Sequence, residues 1–280
     1  MEKIRFITDS ASDMNNPRED VTILPLHICF GEEEYADGVT ISHREFYEKL
    51  IECDTLPKTS LISPAVFEEA YEKATSSGET VIVITISGKL SGTCQSARIA
   101  AADYEGKVFV IDSNNATIGE RILVEYGLQL KDQGKSVAEI VKTLEIQKEK
   151  IHTMGLLDTL EYLKKGGRIS PTVALFGDIL SIKPVVAVQD GEIILLGKAR
   201  GSKSGNNFLI REIEDANGVD FSKPFCLGYT GLSDEMLQKY IHDSEHLWKD
   251  YAKDLPVSTL GATIGTHVGP GAVAVAFFAH

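Results

Sequence analysis

The stretch "TVIVITISGKLSGTCQSARIAA" (Thr80–Ala101) contains a strand pattern, a loop and a helix pattern in immediate succession. It begins with an unbroken run of mostly β-branched residues, which is typical of a strand buried on both faces of a parallel sheet. It ends in an alanine-rich segment of good helix formers. The loop between them, "SGKLSGT", has two glycines and the hydroxyls of Ser87, Ser91 and Thr93. A strand that leads directly into a helix predicts an α/β fold.

The neighbouring segments repeat this alternation of strand and helix. Strands are predicted at "IRFIT", "TILPLHICF" and "KVFVID", and helices at "SHREFYEKLIE", "SPAVFEEAYEKATSSG", residues 117–133 and "SVAEIVKTLEIQKEK". Strands separated by helices of this length form a parallel sheet with helices on both faces. Residues 1–150 are therefore predicted to form an N-terminal α/β domain.

The pattern changes after residue 150. "KPVVAVQDGEIILLGKA" predicts a hairpin that turns at Asp190-Gly191, because Asp-Gly between two apolar runs favours a tight turn. Extended segments are predicted at "IHTMGLLD", "PFCLGYTG" and "GAVAVAFFA", and helices at "TLEYLKKGG" and "SDEMLQKYIHDSEHLWKDY". His267 is predicted to lie in a glycine-rich turn before the last strand. Residues 151–280 thus read as a second, α+β domain with a mixed or antiparallel sheet, packed on the first with a cleft between them.

The composition is that of a globular protein, with 280 residues, 43% of them hydrophobic, and a net charge of −13. Such a charge repels phosphate backbones, so a general nucleic-acid binder is not expected. No apolar run approaches the ~20 residues that cross a bilayer, and the N-terminus is charged where a signal peptide is apolar. The four cysteines have no spacing typical of a metal or redox motif. We therefore expect a cytoplasmic protein without stable membrane insertion.

The charge is unevenly distributed along the chain. Lys164–Lys203 contains seven Lys or Arg and three Asp or Glu, which gives +4 and leaves −17 for the remainder. This is either an ordinary fluctuation on a solvated surface or a patch that faces an anion or a partner.

The chain lacks recognisable cofactor and metal motifs. "GEIILLGKA" has one residue too many for a Walker A loop, and no G-x-G-x-x-G follows a strand, so no nucleotide cofactor is predicted. "HDSEH" (His242–His246) matches a zinc-peptidase pattern, but no glutamate after Glu245 could complete the site. Asp9 and Asp13 could bind a metal but lack a third carboxylate nearby, so a structural role is predicted instead, with Asp9 or Ser10 capping the turn after the first strand and orienting nearby loops.

Two interpretations remain for the hydroxyl-rich segments. Ser91 could be a hydrolase nucleophile with His267 as its base, although the sequence around Ser91 is not G-x-S-x-G and no acidic partner stands out. Alternatively, the segments bind a ligand. They are "KTSLISP" (residues 58–64), "SGKLSGT" (87–93) and "GATIGTHVGPGAVAVAF" (261–277). The second follows the carboxyl end of a buried strand, where open parallel sheets place their ligands.

The chain resembles the DegV family of bacterial lipid-binding proteins over nearly its whole length. The matching motifs are "TDSASD", the pair Thr59-Ser60, "KLSGTCQSA", "VIDS", "LDTLEYLKKGGRIS" and "GATIGTHVGPGAVAVAF". It departs from the family at Leu61-Ile62, where Gln-Pro is frequent, and at Ser87-Gly88, where two serines are frequent. The first departure is expected to reshape the rim of the pocket.

The resemblance implies two α/β domains with one fatty acid buried between them. It implies that Ser91, helped by Thr59 and the N–H of Gly92, holds the carboxylate, with His267 in the same polar network and Arg168 near the head group. The complete predicted ligand-binding set is Thr59, Ser60, Ser91, Gly92, Thr93, Arg168, Thr266 and His267. Tunnel walls are expected from "LPLHICF", "MGLLDTL", "ALFGDILSI" and the last strand.

The resemblance also implies that the chain is not itself a catalyst and needs no cofactor. It would present the acid to a separate ATP-using fatty acid kinase, which makes an acyl-phosphate for phospholipid synthesis. Lys198, Arg200 and Lys203, in the basic segment, are expected to bind this kinase. The alternatives are a stand-alone Ser91/His267 hydrolase, or a lipid carrier or sensor without a kinase.

Overall fold

The computed structural model describes residues 2–170, 182–251 and 254–280. The strands are β1 (Ile4–Asp9), β2 (Val21–Leu24), β3 (His27–Phe30), β4 (Glu33–Ala36), β5 (Lys58–Ser60), β6 (Thr80–Thr85), β7 (Val108–Asp112), β8 (Ile151–Leu156), β9 (Ile182–Gln189), β10 (Glu192–Arg200), β11 (Cys226–Tyr229), β12 (Val257–Thr259) and β13 (Val273–Phe278). The helices are α1 (His43–Glu52), α2 (Pro64–Ser76), α3 (Thr93–Ala101), α4 (Ile118–Asp132), α5 (Val137–Gln147), α6 (Glu161–Lys165), α7 (Gly201–Asp215), α8 (Glu235–Asp243), α9 (Glu245–Trp248) and α10 (Ala262–Val268).

The first sheet is parallel, with the strand order β2-β1-β6-β7. Its central strand β6 is buried from Val81 to Thr85, as the continuous apolar run indicates. Helices α1 and α5 each begin with a capping box, in which a serine and a glutamate three residues later satisfy each other's backbone N–H groups. From β1 the chain adds β2 on one side, and from β6 it adds β7 on the other side, so the direction in which strands are added reverses between β1 and β6. This switch point is where α/β sheets open a ligand crevice at the strand ends.

The second sheet is mixed, with the order β10-β9-β8-β13-β11-β12, and only β11 and β12 pair in parallel. Alternate residues of β13 pack in two different cores. Ala274 and Ala276 pack in the core shared with the first sheet. Val273 and Val275 pack on the other face, in the core beneath α7 and α8. The predicted α/β fold class, with a parallel sheet followed by a mixed sheet, is confirmed. A domain boundary between residues 150 and 151 stays a prediction.

A third, three-stranded antiparallel sheet has the order β4-β3-β5. The prediction of one strand at "TILPLHICF" is therefore wrong, because β2 belongs to the first sheet and β3 to the third. Pro25 lies between them and cannot donate to a ladder, so the chain changes sheets there. Helix α10 packs against this sheet and against α1.

Two further predictions are corrected by the structure, and one helix was missed. His267 lies in helix α10 and not in a turn. The glycine that suggested a turn, Gly265, instead allows the helix to pack closely, since a Cβ there would lie 2.5 Å from the hydroxyl of Tyr47. The helix predicted at residues 233–251 is divided at Ser244, whose hydroxyl donates to the carbonyl of Tyr240. Helix α7 was not predicted, since its glycine-, serine- and asparagine-rich beginning resembles a loop.

The capping role of Asp9 is confirmed. Its Oδ1 accepts a hydrogen bond from the N–H of Ala11 at 3.0 Å. No three His, Cys, Asp or Glu side chains in the described residues are grouped so that they could hold a metal ion. None of the helices described is both long and apolar enough to cross a membrane.

Candidate functional site: a cavity between the sheets

A cavity of about 370 Å³ lies between the loops at the carboxyl edge of the first sheet, strand β5, the mixed sheet and α10. It opens at the switch point of the first sheet, next to the loop from Ile86 to Gly92 that joins β6 to α3. Six of the eight predicted ligand-binding residues line it: Thr59, Ser60, Ser91, Gly92, Arg168 and His267. They come from β5, from the β6–α3 loop, from the turn after α6 and from α10, so the fold brings together residues that are far apart in sequence.

The β6–α3 loop uses almost all of its backbone N–H groups within the protein. Buried or half-buried N–H groups normally find an acceptor, so each one can be traced. The N–H of Ile86 donates to Asp9 Oδ2, that of Ser87 to the carbonyl of Asn115, and that of Gly88 to the Asp112 carboxylate. The N–H of Lys89 donates to Ser87 Oγ, and those of Leu90 and Ser91 both donate to the carbonyl of Ser87. Among the described residues, the N–H of Gly92 has no such acceptor. It therefore remains available to an anion at the start of α3.

Ser91 lies immediately before this free N–H. Its Oγ is 2.9 Å from the hydroxyl oxygen of Thr93 and accepts from the N–H of Thr93 at 3.3 Å. Thr93 itself is fully buried and is not part of the cavity wall. Its contribution is to orient Ser91. Leu61 lies next to Gly92, since a Cβ on Gly92 would be 2.8 Å from the tip of the Leu61 side chain, which is half exposed and forms part of the rim.

Thr59 and His267 form the second polar contact of the site. The Thr59 hydroxyl lies 2.8 Å from Nε2 of His267. Burial, together with the positive charge of Arg168, lowers the pKa of His267 to about 4, so the imidazole is neutral near pH 7. Nδ1 is buried and has no partner among the described residues. If Nδ1 carried the proton, it would be a buried N–H without an acceptor, which is rarer in proteins than a buried acceptor without a donor. We therefore assign the proton to Nε2. Nε2 then donates to Thr59, whose own hydroxyl hydrogen is free for a ligand.

Arg168 closes the polar end of the cavity. Its Nε donates to the carbonyl of Leu90 at 3.2 Å, and its Nη1 donates to the carbonyl of Gly166 at 2.6 Å. The guanidinium is therefore held against the β6–α3 loop and beside His267. A fixed positive charge at this point favours an anionic head group.

The structure does not bring the remaining predicted residues to the cavity. The Thr266 hydroxyl donates to the carbonyl of Ala262 within its own helix and is buried away from the cavity. Lys198, Arg200 and Lys203 are exposed at the end of β10 and the start of α7. Lys198 pairs across the sheet with Pro184, whose carbonyl accepts from the cavity residue Leu157. Lys198, Arg200 and Lys203 do not line the cavity, although Ile193 on β10 and Val186 on the neighbouring strand β9 do.

The walls of the cavity are mostly apolar. Those that come from the predicted segments are Leu26, Met154, Gly155, Leu157, Ala272, Val273 and Ala274. Sequence reasoning missed another set, which includes Ile86, Leu90, Val186, Val188, Ile193 and Ile264. The alternating pattern of the β9–β10 hairpin is the signal that could have identified three of these. The predicted wall segment "ALFGDILSI" lies outside the described residues except for Ile182.

The pair that the hydrolase alternative requires is not formed. Nε2 of His267 contacts Thr59, whereas the hydroxyl of Ser91 contacts Thr93. A serine nucleophile needs its base within hydrogen-bonding distance and a third group that orients the base. Neither contact exists in the described part of the chain.

Comparison with known proteins gives one consistent family. The model described as "Uncharacterised protein, DegV family" matches residues 3–280. A DegV domain-containing protein of Caldanaerobacter subterraneus is 34% identical over 285 residues, which cover 99% of each chain. A DegV family protein from Thermus thermophilus, whose structure is described for its fatty acid binding, is 30% identical with a TM-score of 0.86 and covers 99% of this chain and 100% of that one.

A second solved structure agrees with this relation. It is a stearic acid-binding protein from Eubacterium ventriosum, 27% identical with a TM-score of 0.84, and the match covers 100% of this chain and 98% of that one. Since the family model spans nearly the whole sequence and a relative above 30% identity aligns from end to end, this chain belongs to the DegV family.

Proposed function

We propose that this protein binds one long-chain fatty acid in the cavity between its sheets. The observation that carries the proposal is that a largely apolar cavity ends at one cluster of hydroxyl, N–H and guanidinium donors. The fatty-acid-binding relatives from Thermus thermophilus and Eubacterium ventriosum support the same ligand class. We also propose a cytoplasmic location, which agrees with four free cysteines.

The carboxylate would occupy the polar end. Removing a carboxylate from water is costly unless several donors replace its hydration shell. The Ser91 and Thr59 hydroxyls and the N–H of Gly92 would supply these donors, and the N-terminus of α3 adds a favourable dipole. Arg168 would supply the compensating positive charge, because His267 is neutral. Charge-assisted hydrogen bonds of this kind are the strong ones.

The hydrocarbon tail would fill the apolar part of the cavity. Burial contributes ~0.8 kcal/mol per methylene, so ~14 methylenes give roughly 11 kcal/mol before the costs of association. Those costs amount to several kcal/mol. Tight binding is expected from the remainder, and the head-group contacts then provide selectivity for a carboxylic acid.

Ser91→Ala should weaken the binding of hexadecanoic acid. A hydrogen bond to a charged group contributes about 1.5–3 kcal/mol, so we expect a roughly 10- to 150-fold rise in Kd by calorimetric titration of delipidated protein. Ser96→Ala is the matched control, because Ser96 lies in α3, the helix that follows Ser91, but does not line the cavity. Equal affinities in all three proteins would remove Ser91 from the proposed site.

We further propose that the bound acid is presented to a separate ATP-using fatty acid kinase, as the family resemblance implies. Phosphoryl transfer needs a nucleotide site and bound metal ions. In our proposal the partner provides these, while this chain provides an oriented, ionised carboxylate and does not itself catalyse the transfer. The exposed Lys198, Arg200 and Lys203 would form the docking surface.

Charge reversal at Arg200 and Lys203 should lower the rate of kinase-dependent acyl-phosphate formation at low salt and leave the Kd for the acid unchanged. Mutating charges at the edge of an interface mainly affects association. A matched double reversal at Lys107 and Lys135, which are exposed on the first half of the chain, serves as the control. An unchanged rate at low salt would contradict the assigned docking surface.

A further inference from the structure

The β6–α3 loop is held by carboxylates that no ligand contact explains. Asp9 lies at the end of β1 and accepts the N–H of Ile86 at 2.9 Å. Asp112 lies at the end of β7 and accepts the N–H of Gly88 at 3.2 and 3.1 Å through its two oxygens. These two strands flank β6, so both carboxylates point inward to the same loop from opposite sides.

Acidic side chains in this place need a physical reason, even though burial raises the pKa of Asp9 to about 7 and so reduces its negative charge near neutral pH. The proposed ligand is itself an anion, and like charges at the same edge of a sheet repel one another. The two side chains would therefore weaken anion binding unless holding the loop in place favours binding more than their charge repulsion opposes it. That contribution is visible in the backbone: they hold the N–H groups on both sides of Ser87.

Asp112 is itself fixed. Its Oδ1 also accepts the N–H of Asn114 at 3.0 Å, and its backbone carbonyl accepts from Nζ of Lys148 at 2.9 Å. The contact with Gly88 leaves no room for a side chain, because a Cβ on Gly88 would lie 2.7 Å from Oδ2 of Asp112. Gly88 and Asp112 thus fit each other as a pair.

The loop has a third attachment on the opposite side of the cavity. The Ser87 hydroxyl donates to the carbonyl of Gly191, at the turn of the β9–β10 hairpin, at 2.7 Å. With Asp9, Asp112 and Gly191 all holding the segment from Ile86 to Gly88, the following residues Ser91 and Gly92 have little freedom to move. Donors fixed before the ligand arrives bind it without a cost of reorganisation.

We propose that Asp9 and Asp112 are positioning residues for carboxylate recognition, and that they hold the β6–α3 loop so that the Gly92 N–H and the Ser91 hydroxyl converge on the head group. The inference rests on the proposed fatty acid binding and deepens it. It predicts that these two side chains contribute to the preference for an acid over a neutral head group on the same hydrocarbon chain. A role in stability alone would change the binding of both ligands equally.

The test compares hexadecanoic acid with hexadecan-1-ol in the wild-type protein, in Asp112→Asn and in Asp103→Asn, an exposed control at the end of α3. Asparagine keeps the size of the side chain but replaces one acceptor oxygen by an amide NH₂. We expect the Kd for the acid to rise about tenfold in Asp112→Asn and the Kd for the alcohol to change less than twofold. The control should resemble the wild type.

One outcome would overturn the inference while leaving fatty acid binding intact: an unchanged ratio of acid to alcohol affinity in Asp112→Asn, whether both affinities hold or both fall by the same factor. A wild-type protein that binds neither ligand would overturn the proposed function and this inference together. If Asp112→Asn does not fold, Gly88→Ala disturbs the same contact from the loop side. It must then show the same selective loss of acid binding.

Discussion

Gly155→Leu is expected to weaken the binding of a long-chain fatty acid about 100-fold in a chain that still folds. Gly155 lies in β8, where it pairs with Ala274 on one side and with Val186 on the other, and all three residues line the cavity. A Cβ at Gly155 would meet Val273 O at 3.5 Å and Leu157 Cδ2 at 3.6 Å, which are ordinary contacts. The backbone therefore tolerates a side chain, and the remaining carbons of leucine must extend into the cavity.

The size of this effect follows from the volume that the ligand loses. Leucine at this position would displace three to four methylenes of the tail, and each contributes ~0.8 kcal/mol. The loss of roughly 3 kcal/mol corresponds to a Kd about 100-fold higher for hexadecanoic acid, measured by titration of delipidated protein. Gly155→Ala is the matched control and should change the Kd less than about threefold. Wild-type affinity in the leucine variant would show that the acid binds elsewhere.

Glu120→Gln is expected to stabilise the protein increasingly as the pH rises. Glu120 is fully buried in α4; its Oε1 accepts the hydroxyl of Thr8 at 2.8 Å, and its Oε2 has no partner among the described residues. Burial, followed by the neighbouring carboxylate of Asp9, raises the pKa of Glu120 well above its ordinary value of 4.5. The folded protein therefore keeps this proton where the unfolded chain releases it.

The sign of the effect follows from this difference in pKa. A raised pKa contributes stability that is fully present below the pKa of the unfolded chain and is lost as the pH rises through the folded value. Each pH unit in this interval costs the wild type about 1.4 kcal/mol of unfolding free energy through Glu120, whereas glutamine does not titrate. Urea unfolding at pH 5.5 and 8 should show a larger advantage for Glu120→Gln at pH 8. The exposed control Glu68→Gln should follow the wild type, and an equal difference at both pH values for Glu120→Gln would contradict the assignment.

The fold class could be predicted from sequence because each element of the first half has its own local signal. Strand β6 is a continuous apolar run, and α1 and α5 begin with complete capping boxes. The wrong predictions share a different cause. Whether a glycine or a proline ends an element, allows close packing or marks a change of sheet depends on tertiary contacts. Gly265 packs against Tyr47 within a helix and is not part of a turn, and Pro25 marks a change of sheet.

The candidate site was predictable in part for a similar reason. Ser91 and Gly92 follow the carboxyl end of a buried strand, so their place at the mouth of a crevice follows from the general behaviour of parallel sheets. The contact between Thr59 and His267 joins residues 208 positions apart, and no spacing rule connects them. Nor did the sequence indicate that Ser87, in the same hydroxyl cluster, would use its hydroxyl to hold the hairpin at Gly191.

The most direct test of the account is mass spectrometry of an organic extract of the protein, purified without detergent or added lipid. We expect one fatty acid per chain, which would establish the ligand class and identify the acid in the same measurement. A protein that yields no fatty acid, and that also fails to take up added acids of 14 to 18 carbons, would contradict the proposal that its cavity is a fatty acid site.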